Sequence, residues 1–300
     1  MDIIGKKYLY FLISIIIIIP GLVSLILFGL NLSIDFTGGT RFSLLFPGKV
    51  KMAAKEKIRN GLIKQDIRIS TIEISDRLVF VRTSPMNQGQ NDKFIESIAK
   101  EFKGVKQTEF ETIGPTVGKE TTANAVKAIM LACVLIVLYI TWAFRKVPKP
   151  VSSFRFGICT IIALIHDVLV VVGVFSILGH FFKIEIDSLF ITAVLTIIGF
   201  SVHDTIVVFD RIRENLKRMI GSPFPTVVND SILQTLSRSL NTSITTLLAL
   251  VGILIFGGES IRWFVVALIV GITSGTYSSI FNAAPLLVVW HEWKEKRTKN

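Results

Sequence analysis

The sequence predicts an α-helical membrane protein with six transmembrane helices and one small external α+β domain. Of its 300 residues, 51% are apolar and only 18% are charged, which is more apolar residue than a soluble chain of this size usually buries. The apolar residues are also gathered into runs long enough to cross a bilayer, which takes about 20 residues of helix. Between the first two runs lies a polar segment, 31–122, whose alternating and helical patterns are typical of a folded α+β domain.

The first apolar run, residues 8–30, is predicted to be a membrane anchor. Lys6 and Lys7 precede it as they would precede a signal peptide, but the run is far longer than the apolar region of a signal peptide. The residues after it, Asn31 to Asp35, offer no small-x-small cleavage site. The other five predicted transmembrane helices are 123–144, 154–178, 188–209, 239–256 and 263–290.

Basic residues near the ends of the spans predict the orientation of the chain, since short cytoplasmic loops are enriched in lysine and arginine. The short connections on one side contain only Lys183 and Arg262 as basic residues, so this side is predicted to be external. Both termini are therefore predicted to be cytoplasmic, in a multi-pass protein of the cell (inner) membrane. The fifteen basic residues predicted on the cytoplasmic side are Lys6, Lys7, Arg145, Lys146, Lys149, Arg155, Arg211, Arg213, Lys217, Arg218, Arg238, Lys294, Lys296, Arg297 and Lys299.

The segment 31–122 is predicted to be external and to fold independently. Its patterns predict strands and helices in the order βαββαβ, which is the ferredoxin-like arrangement. The segment has 15 basic and 11 acidic residues, and this charge does not oppose an external location, because long loops cross the membrane largely regardless of charge. The predicted strands are 40–46, 67–74, 78–83 and 105–113, and the predicted helices are 52–64 and 92–102.

These elements divide the chain into four parts. Residues 1–30 are predicted to form the cytoplasmic N-terminus and the first helix, and 31–122 the external domain. Residues 123–290 are predicted to form a five-helix bundle with a basic cytoplasmic loop at 210–237, and 291–300 a basic cytoplasmic tail. The net charge of +11 is then explained by topology signals and by the external domain, and it predicts contact with membrane lipid rather than with nucleic acid.

Few ionisable residues lie inside the predicted spans, and each is a candidate functional residue because a charge at mid-membrane costs a few kcal/mol. Asp167, preceded by His166, is predicted near the centre of the third span. Asp204, preceded by His203, is predicted in the inner half of the fourth span. Arg238 opens the fifth span from the cytoplasmic side.

Arg238 also begins a polar stripe on one helical face. The stripe continues with Asn241, Thr242 and Thr245, which follow it by three, four and seven residues. Antiparallel neighbouring spans would place Asp204 against this stripe. Near Arg238 the carboxylate would stay ionised, and away from it desolvation would favour the protonated acid. Such a site can carry protons down a gradient, and each charge that crosses is worth about 2.3 kcal/mol per 100 mV.

Other interpretations of these residues stay open. An Asp204–Arg238 pair can be purely structural, and hydroxyl-rich helix faces often only pack helices together. Asp167 is central enough for a functional role, but His166 could also satisfy it locally. The histidines are interpreted as hydrogen-bonding neighbours rather than metal ligands, since no third ligand accompanies them. No nucleophile arrangement for hydrolysis is visible, so we expect transport, without enzyme activity and without a cofactor.

Several strings in this sequence resemble the SecF family of protein translocase subunits. They are IDFTGGT at 34–40, IGPTVG at 113–118, GFSVHDTIVVFDRIREN at 199–215 and RSLNTS at 238–243. Together with the six spans and the external domain, the resemblance covers essentially the whole chain. It implies membrane helices like those of RND transporters. It also implies a chain that pairs with SecD, assists the SecYEG channel and acts on a translocating preprotein.

The resemblance further implies a proton pathway and an energy source. The family's aspartate in the fourth-span motif corresponds to Asp204, and its arginine at the start of the fifth span corresponds to Arg238. The energy source would be the proton gradient, and SecD would supply a further carboxylate. One alternative is half of a proton-driven RND-type small-molecule exporter, for which 31–122 is a small external domain. Another is a static scaffold in which Asp204 only holds helices together.

Overall fold

Two structural units make up the chain in the computed structural model, which describes residues 1–50, 52–145, 147–148 and 152–299. The membrane unit consists of Met1–Asn31 and Lys127–Asn300, and the α+β unit consists of Leu32–Val126. The α+β unit lies close to the bounds 31–122 that the sequence predicts for a separate domain.

Helices form the membrane unit, and the α+β unit combines helices with a four-stranded sheet. The helices are α1 (Lys7–Phe28), α2 (Ile34–Thr37), α3 (Met52–Ile63), α4 (Gln88–Glu101), α5 (Pro115–Ala143), α6 (Ser153–Phe182), α7 (Ser188–Arg218), α8 (Phe224–Phe256), α9 (Glu259–Ser278) and α10 (Ala284–Lys299). The strands are β1 (Gly39–Leu45), β2 (Ile69–Ser75), β3 (Leu78–Thr83) and β4 (Lys106–Ile113). A 3-10 turn at Ile4–Lys6 precedes α1, and a π-helical segment at Ser279–Ala283 joins α9 to α10.

Six helical stretches among the described residues are long and apolar enough to cross a membrane, as the sequence predicts. Large apolar side chains on these helices, such as Ile26, Leu138 and Phe256, are largely exposed. A soluble protein rarely exposes so much contiguous apolar surface, so lipid is the natural solvent for this unit. The six stretches are Ile4–Phe28, Pro115–Ala143, Ser153–Phe182, Ser188–Arg218, Phe224–Phe256 and Ser260–Arg297.

Helix α7 and helix α8 extend well beyond the apolar runs that predict them. The segment 210–237, predicted as a basic loop, is mostly helical, because α7 continues to Arg218 and α8 begins at Phe224. An ion pair at helical spacing, between Arg213 and Asp210, accompanies the polar extension of α7. The hydropathy pattern shows where the apolar surface of α7 and α8 ends, but the helical backbone hydrogen bonds of both helices continue beyond that point.

The predicted C-terminal tail, 291–300, is also helical for most of its length, because α10 ends at Lys299. Its first turns carry His291 within the buried surface of the membrane unit. Two of the basic residues used to predict the orientation, Lys146 and Lys149, lie outside the described residues.

Three helices, α6, α7 and α9, pack against one another as the buried core of the membrane unit, with α1 against α6 and α8 against α7 and α9. Near the α5–α6 connection, the buried rings of Phe144, Phe156 and Phe209 form a cluster. The Phe144 and Phe156 ring centroids are 5.0 Å apart, and those of Phe156 and Phe209 are 4.7 Å apart. Such aromatic pairs add about 0.5–1.5 kcal/mol beyond the area they bury.

The α+β unit contains an antiparallel sheet with the strand order β2-β3-β1-β4. The element order βαββαβ, as in ferredoxin-like folds, is therefore confirmed. Phe42 of β1, Ile58 of α3 and Phe94 of α4 lie in a buried core shared by the sheet and the two helices. Asn87 and Gln90 form a reciprocal capping box at the start of α4, which satisfies two backbone donors there.

Glycines allow the start of β1 to pass close to the start of α5. Gly38 and Gly39 have φ angles of +70° and +137°, a region that favours glycine because it has no Cβ. A Cβ added to Gly118 of α5 would lie 2.8 Å from the backbone nitrogen of Gly38. Larger residues would therefore push these two backbones apart.

Candidate functional site

Asp204 lies on the buried face of α7, together with Ser201 and Thr205, and its side chain is only 2% exposed. Ser239 of α8 lies beside its carboxylate. Asp204 Oδ2 and Ser239 Oγ are both buried, and neither atom has a hydrogen-bond partner among the described residues. An ionised carboxylate in such surroundings is costly, so this position needs either a proton or a nearby cation.

A polar cleft lies between α7 and α8, about one helical turn beyond Asp204. Val207, three residues after Asp204, and Arg238, the neighbour of Ser239, both line it. Its volume of about 340 Å³ is enough for several water molecules, since one water occupies about 30 Å³. The cleft is lined by Ile206, Val207, Asp210, Arg211, Glu214, Gln234, Thr235 and Arg238.

The two arginines of the cleft differ in how firmly they are held. The guanidinium of Arg211 donates to Gln234 Oε1 and to Glu214 Oε2, so its position is fixed by both helices. Arg238 is exposed, and its side chain makes no ion pair with any carboxylate in the described part of the chain. Arg238 is therefore close in sequence to the contact between Ser239 and α7, but no ion pair with a described residue holds its side chain in place.

The polar stripe that follows Arg238 does not face Asp204. Asn241, Thr242 and Thr245 are all exposed. Thr242 Oγ1 donates to the Arg238 carbonyl and Thr245 Oγ1 to the Asn241 carbonyl, each at 2.9 Å, so these hydroxyls satisfy their own helix. The predicted placement of Asp204 against the stripe is thus wrong. Helical spacing shows which residues share a face, but it does not show which face meets the neighbouring helix.

Asp167 is completely buried (0% exposed) where α6, α7 and α9 meet. Ser274 Oγ donates to Asp167 Oδ1 at 2.8 Å. Ser201 Oγ and Ser278 Oγ donate to Asp167 Oδ2 at 2.6 Å and 2.7 Å. His166 Nδ1 lies 3.0 Å from Asp167 Oδ1. One carboxylate therefore accepts hydrogen bonds from three helices.

The serines that surround these carboxylates were not among the residues predicted from the sequence. Ser274 and Ser278 are four residues apart, so they share one face of α9, and this spacing is the signal that could have found them. Ser239 and Ser243 repeat the same spacing on α8, and both are buried. Hydroxyls in a membrane helix that face the protein interior are candidate partners for an intramembrane charge.

The site is thus a pair of buried carboxylates in contrasting surroundings. Asp167 is surrounded by donors, whereas Oδ2 of Asp204 has no hydrogen-bond partner among the described residues. No three His, Cys, Asp or Glu side chains of the described residues are gathered as a metal site would require. Carboxylates in these settings can bind and release protons, which is the chemistry expected of ionisable groups in membrane helices.

Comparison with known families assigns the chain. The family model "Protein export membrane protein SecD/SecF, C-terminal" matches residues 94–293. The chain belongs to the SecD/SecF family. A second family model, the SecD/SecF GG motif, matches residues 23–46, which include Gly38 and Gly39. Both carboxylates lie within the first of these matches.

Full-length relatives of this SecD/SecF chain are protein translocase subunits. The chain is 46% identical to the protein translocase subunit SecF of Thermobaculum terrenum, over 97% of this chain and 94% of the relative. It is 44% identical to the SecF subunit of Anaerolinea thermophila, over 98% of this chain and 96% of the relative. It is also 38% identical to SecDF of Thermus thermophilus, over 87% of this chain but only 35% of that longer protein.

A solved SecDF structure has the same fold. The crystal structure of SecDF from Thermus thermophilus, titled a translocon-associated membrane protein, matches with a TM-score of 0.82 and 36% sequence identity. The match covers 97% of this chain and 38% of that one, so this chain spans well under half of the SecDF structure. The predicted fold class, six apolar helices with a small α+β unit, is therefore that of a SecD/SecF protein.

Proposed function

We propose that this chain acts as a SecF subunit that uses the proton motive force to promote the translocation of preproteins across the cytoplasmic membrane. The observation that carries the proposal is Asp204, a buried carboxylate one turn from a polar cleft that contains Arg238. Within the described part of the chain, Asp204 Oδ2 has no hydrogen-bond partner and Arg238 has no ion-pair partner. The names of the relatives support export as the process, and the chemistry of Asp204 supports protons as the coupled ion.

Proton coupling follows from the two states available to Asp204. In the arrangement described, no Lys or Arg side chain of the described residues forms an ion pair with the carboxylate, and the protonated acid is the less costly form in the membrane. If Arg238 moves from the cleft towards Asp204, the ionised carboxylate becomes acceptable and the proton leaves. Each proton that crosses with the gradient supplies about 2.3 kcal/mol per 100 mV, which is the energy available for moving the external domain.

SecD is the proposed partner, because SecDF of Thermus thermophilus combines both names in one longer protein that this chain matches in part. The exposed polar face of α8, formed by Asn241, Thr242 and Thr245, is the surface we assign to that partner within the membrane. A hydroxyl-rich helix face is well suited to packing against another helix, since small polar residues allow close approach and interhelical hydrogen bonds. The SecYEG channel and the translocating preprotein complete the proposed set of partners.

The proposed orientation has both termini in the cytoplasm and the α+β unit outside. The distribution of lysine and arginine around the spans supports it. In this orientation the cleft that contains Arg238 opens towards the cytoplasm, so it would serve as the inner water path to Asp204. The α+β unit would meet the preprotein as it emerges on the outer side.

The test is preprotein export into inverted membrane vesicles that contain this chain together with SecD. Export is measured with and without a proton gradient for the wild type, for Asp204→Asn and for the control Asp230→Asn, which makes the same change on α8 outside the site. We expect Asp204→Asn to lose the stimulation by the gradient and Asp230→Asn to keep it. Co-purification with SecD must be equal for all three, so that a loss of assembly is not mistaken for a loss of coupling.

Undiminished stimulation in Asp204→Asn would refute proton coupling through this carboxylate and would leave the static scaffold as the better account. A change in drug susceptibility without any export defect would instead favour the small-molecule exporter. Arg238→Lys should keep part of the stimulation and Arg238→Met should lose it, because the proposal needs a positive charge that can approach Asp204.

A further inference from the structure

We propose that His166 and Asp167 form a second proton-binding site in the membrane unit, separate from Asp204. The use of this site in export rests on the function proposed above, but its ability to bind a proton does not. The pair lies in the core formed by α6, α7 and α9, whereas Asp204 lies where α7 meets α8. The ligand is a single proton, and the site consists of one carboxylate and one imidazole.

The first argument is the balance of charge around the pair. Asp167 is completely buried, and no Lys or Arg side chain of the described residues forms an ion pair with it. Among the described residues, its titratable contact is His166, at 3.0 Å. An ionised Asp167 with a neutral His166 leaves one negative charge in the membrane core, which costs a few kcal/mol. Binding one proton makes the pair neutral overall.

The second argument is the unused nitrogen of His166. The side chain is 8% exposed, and its buried Nε2 has no hydrogen-bond partner among the described residues. Buried polar atoms are rarely left without a partner, and those that are often have a functional reason. Because Nδ1 is occupied by Asp167, Nε2 is the atom at which a proton can arrive or leave.

The third argument is that the hydroxyls around Asp167 can accommodate both charge states. When the pair is ionised, the three serines donate to the carboxylate. When Asp167 is protonated, one serine must turn and accept instead. Ser278 can do so, because its Oγ is also 3.2 Å from the Gly275 carbonyl, to which its hydroxyl can donate. The site therefore needs only the rotation of one hydroxyl, with no movement of a helix.

Other titratable groups face the pair from each helix packed against α6. The Tyr277 ring on α9 lies 6.4 Å from the His166 ring, and its hydroxyl donates to the Tyr10 carbonyl on α1 at 2.9 Å. On α7, Asp204 follows Ser201 by three residues and points towards α8, while His203 is exposed. None of these groups is a cation in contact with Asp167, so they do not replace the proton.

The proton balance is simple. Uptake takes one proton from water and forms one N–H or O–H bond, at His166 Nε2 or at an Asp167 oxygen, and the charge of the pair changes from −1 to 0. Release breaks that bond and returns the proton to water. No other bond forms or breaks, and no electron is transferred.

The test uses the full-length chain, labelled with ¹⁵N-histidine and reconstituted in liposomes, and follows its four histidine rings by solid-state NMR as the pH is varied. The His166 signal is assigned by exclusion, using variants of the other three histidines. We expect a pH-dependent change of the His166 ring, together with an infrared carboxyl change that Asp204→Asn retains and Asp167→Asn loses. Ser274→Ala removes a donor to Asp167 without removing a titratable group, so it should shift the midpoint of both changes.

A His166 ring that keeps one tautomer and one charge at every pH, with infrared carboxyl changes that are the same in the wild type and in Asp167→Asn, would overturn the proposal. The wild-type NMR measurement stands even if Asp167→Asn fails to fold. The outcome is also distinct from that of the export test. A pair that titrates, combined with undiminished stimulation in Asp204→Asn, would refute the proposed function and leave the second proton-binding site in place.

Discussion

The crossing of α1 and α6 depends on two glycines, and we predict that Gly173→Ala destabilises the membrane unit. A Cβ added to Gly173 would lie 2.7 Å from the Cα of Gly21, and the reverse substitution would make the same clash. The contacted atoms are backbone, so no side chain can move aside. Ser24 and Ser176, three residues further along each helix, are joined by a 2.9 Å hydrogen bond at the same crossing.

The magnitude follows from how far the helices must separate. Ordinary contact between two carbons is about 3.5–4.0 Å, so a 2.7 Å approach requires the helices to separate by about 1 Å. This movement would lengthen the Ser24–Ser176 hydrogen bond beyond its useful range. Overpacking costs about 1–3 kcal/mol, and an interhelical hydrogen bond in a membrane contributes about 0.6 kcal/mol on average. We expect a total loss of about 2–4 kcal/mol.

The assay is reversible unfolding of the full chain in mixed micelles, with the free energy of unfolding compared between variants. Gly252→Ala on α8 is the matched control, because a Cβ there meets nothing within 4 Å. The control should be neutral or slightly stabilising, since alanine favours helix over glycine by up to about 1 kcal/mol. If Gly173→Ala is as stable as Gly252→Ala, the close crossing of α1 and α6 is not the source of stability that we infer.

Phe94→Ala should lower the stability of the α+β unit by about 3–5 kcal/mol, because this fully buried ring fills the core between sheet and helices. The loss of stability is measured by limited proteolysis of 31–122, and unchanged resistance to the protease would contradict the prediction. Asn215→Leu should cost about 1–3 kcal/mol, because Asn215 Nδ2 donates to Ser231 Oγ and to Gln234 Oε1 on α8, each at 2.9 Å, and both oxygens would lose this donor. This loss is measured by thermal unfolding in detergent. The ion pair between Lys7 and Glu292 is partly buried, with 2.6 Å between Nζ and Oε1. A double-mutant cycle should give a coupling free energy of about 1 kcal/mol for this pair, and zero coupling would show that the pair does not stabilise the fold.

The α+β unit was the most predictable part of the chain. The alternation of apolar residues in Leu78–Thr83 predicts that strand with the observed bounds, and the other strands differ from prediction by one or two residues at their ends. Strands with one buried face show this alternation plainly, because successive side chains point to opposite sides. The strand order β2-β3-β1-β4 was not predicted, because alternation within a strand does not show which strands are neighbours.

The ends of the transmembrane helices were less predictable, for a physical reason. Hydropathy reports the surroundings of the side chains, and it changes sign near Phe209 where the apolar surface ends. The backbone of α7 continues for nine further residues to Arg218, stabilised by ion pairs at helical spacing such as Arg211 with Glu214. A basic segment at the end of a span can therefore be helix rather than loop.

The candidate site was predictable in its carboxylates and not in their partners. Asp167 and Asp204 stand out because ionisable residues are costly in a membrane, and this argument needs only the sequence. Which residues meet them depends on the rotation of each helix about its axis. Arg238 was predicted to meet Asp204, but the next residue along α8, Ser239, meets it instead. One residue along a helix corresponds to a rotation of about 100° about the helix axis.

The different surroundings of Asp167 and Asp204 indicate how each carboxylate would be affected if helix α8 moved. Asp167 is tied to α6, α7 and α9 at once, so it holds these three helices as one body. Asp204 faces α8, which is buried over a much smaller share of its apolar length, 17% against 50% for α6 and for α7. A displacement of α8 therefore changes the surroundings of Asp204 and leaves those of Asp167 intact. Because a protonation change and a helix displacement at one interface must influence each other equally, the proposed function predicts that proton binding and movement are coupled at the α7–α8 interface.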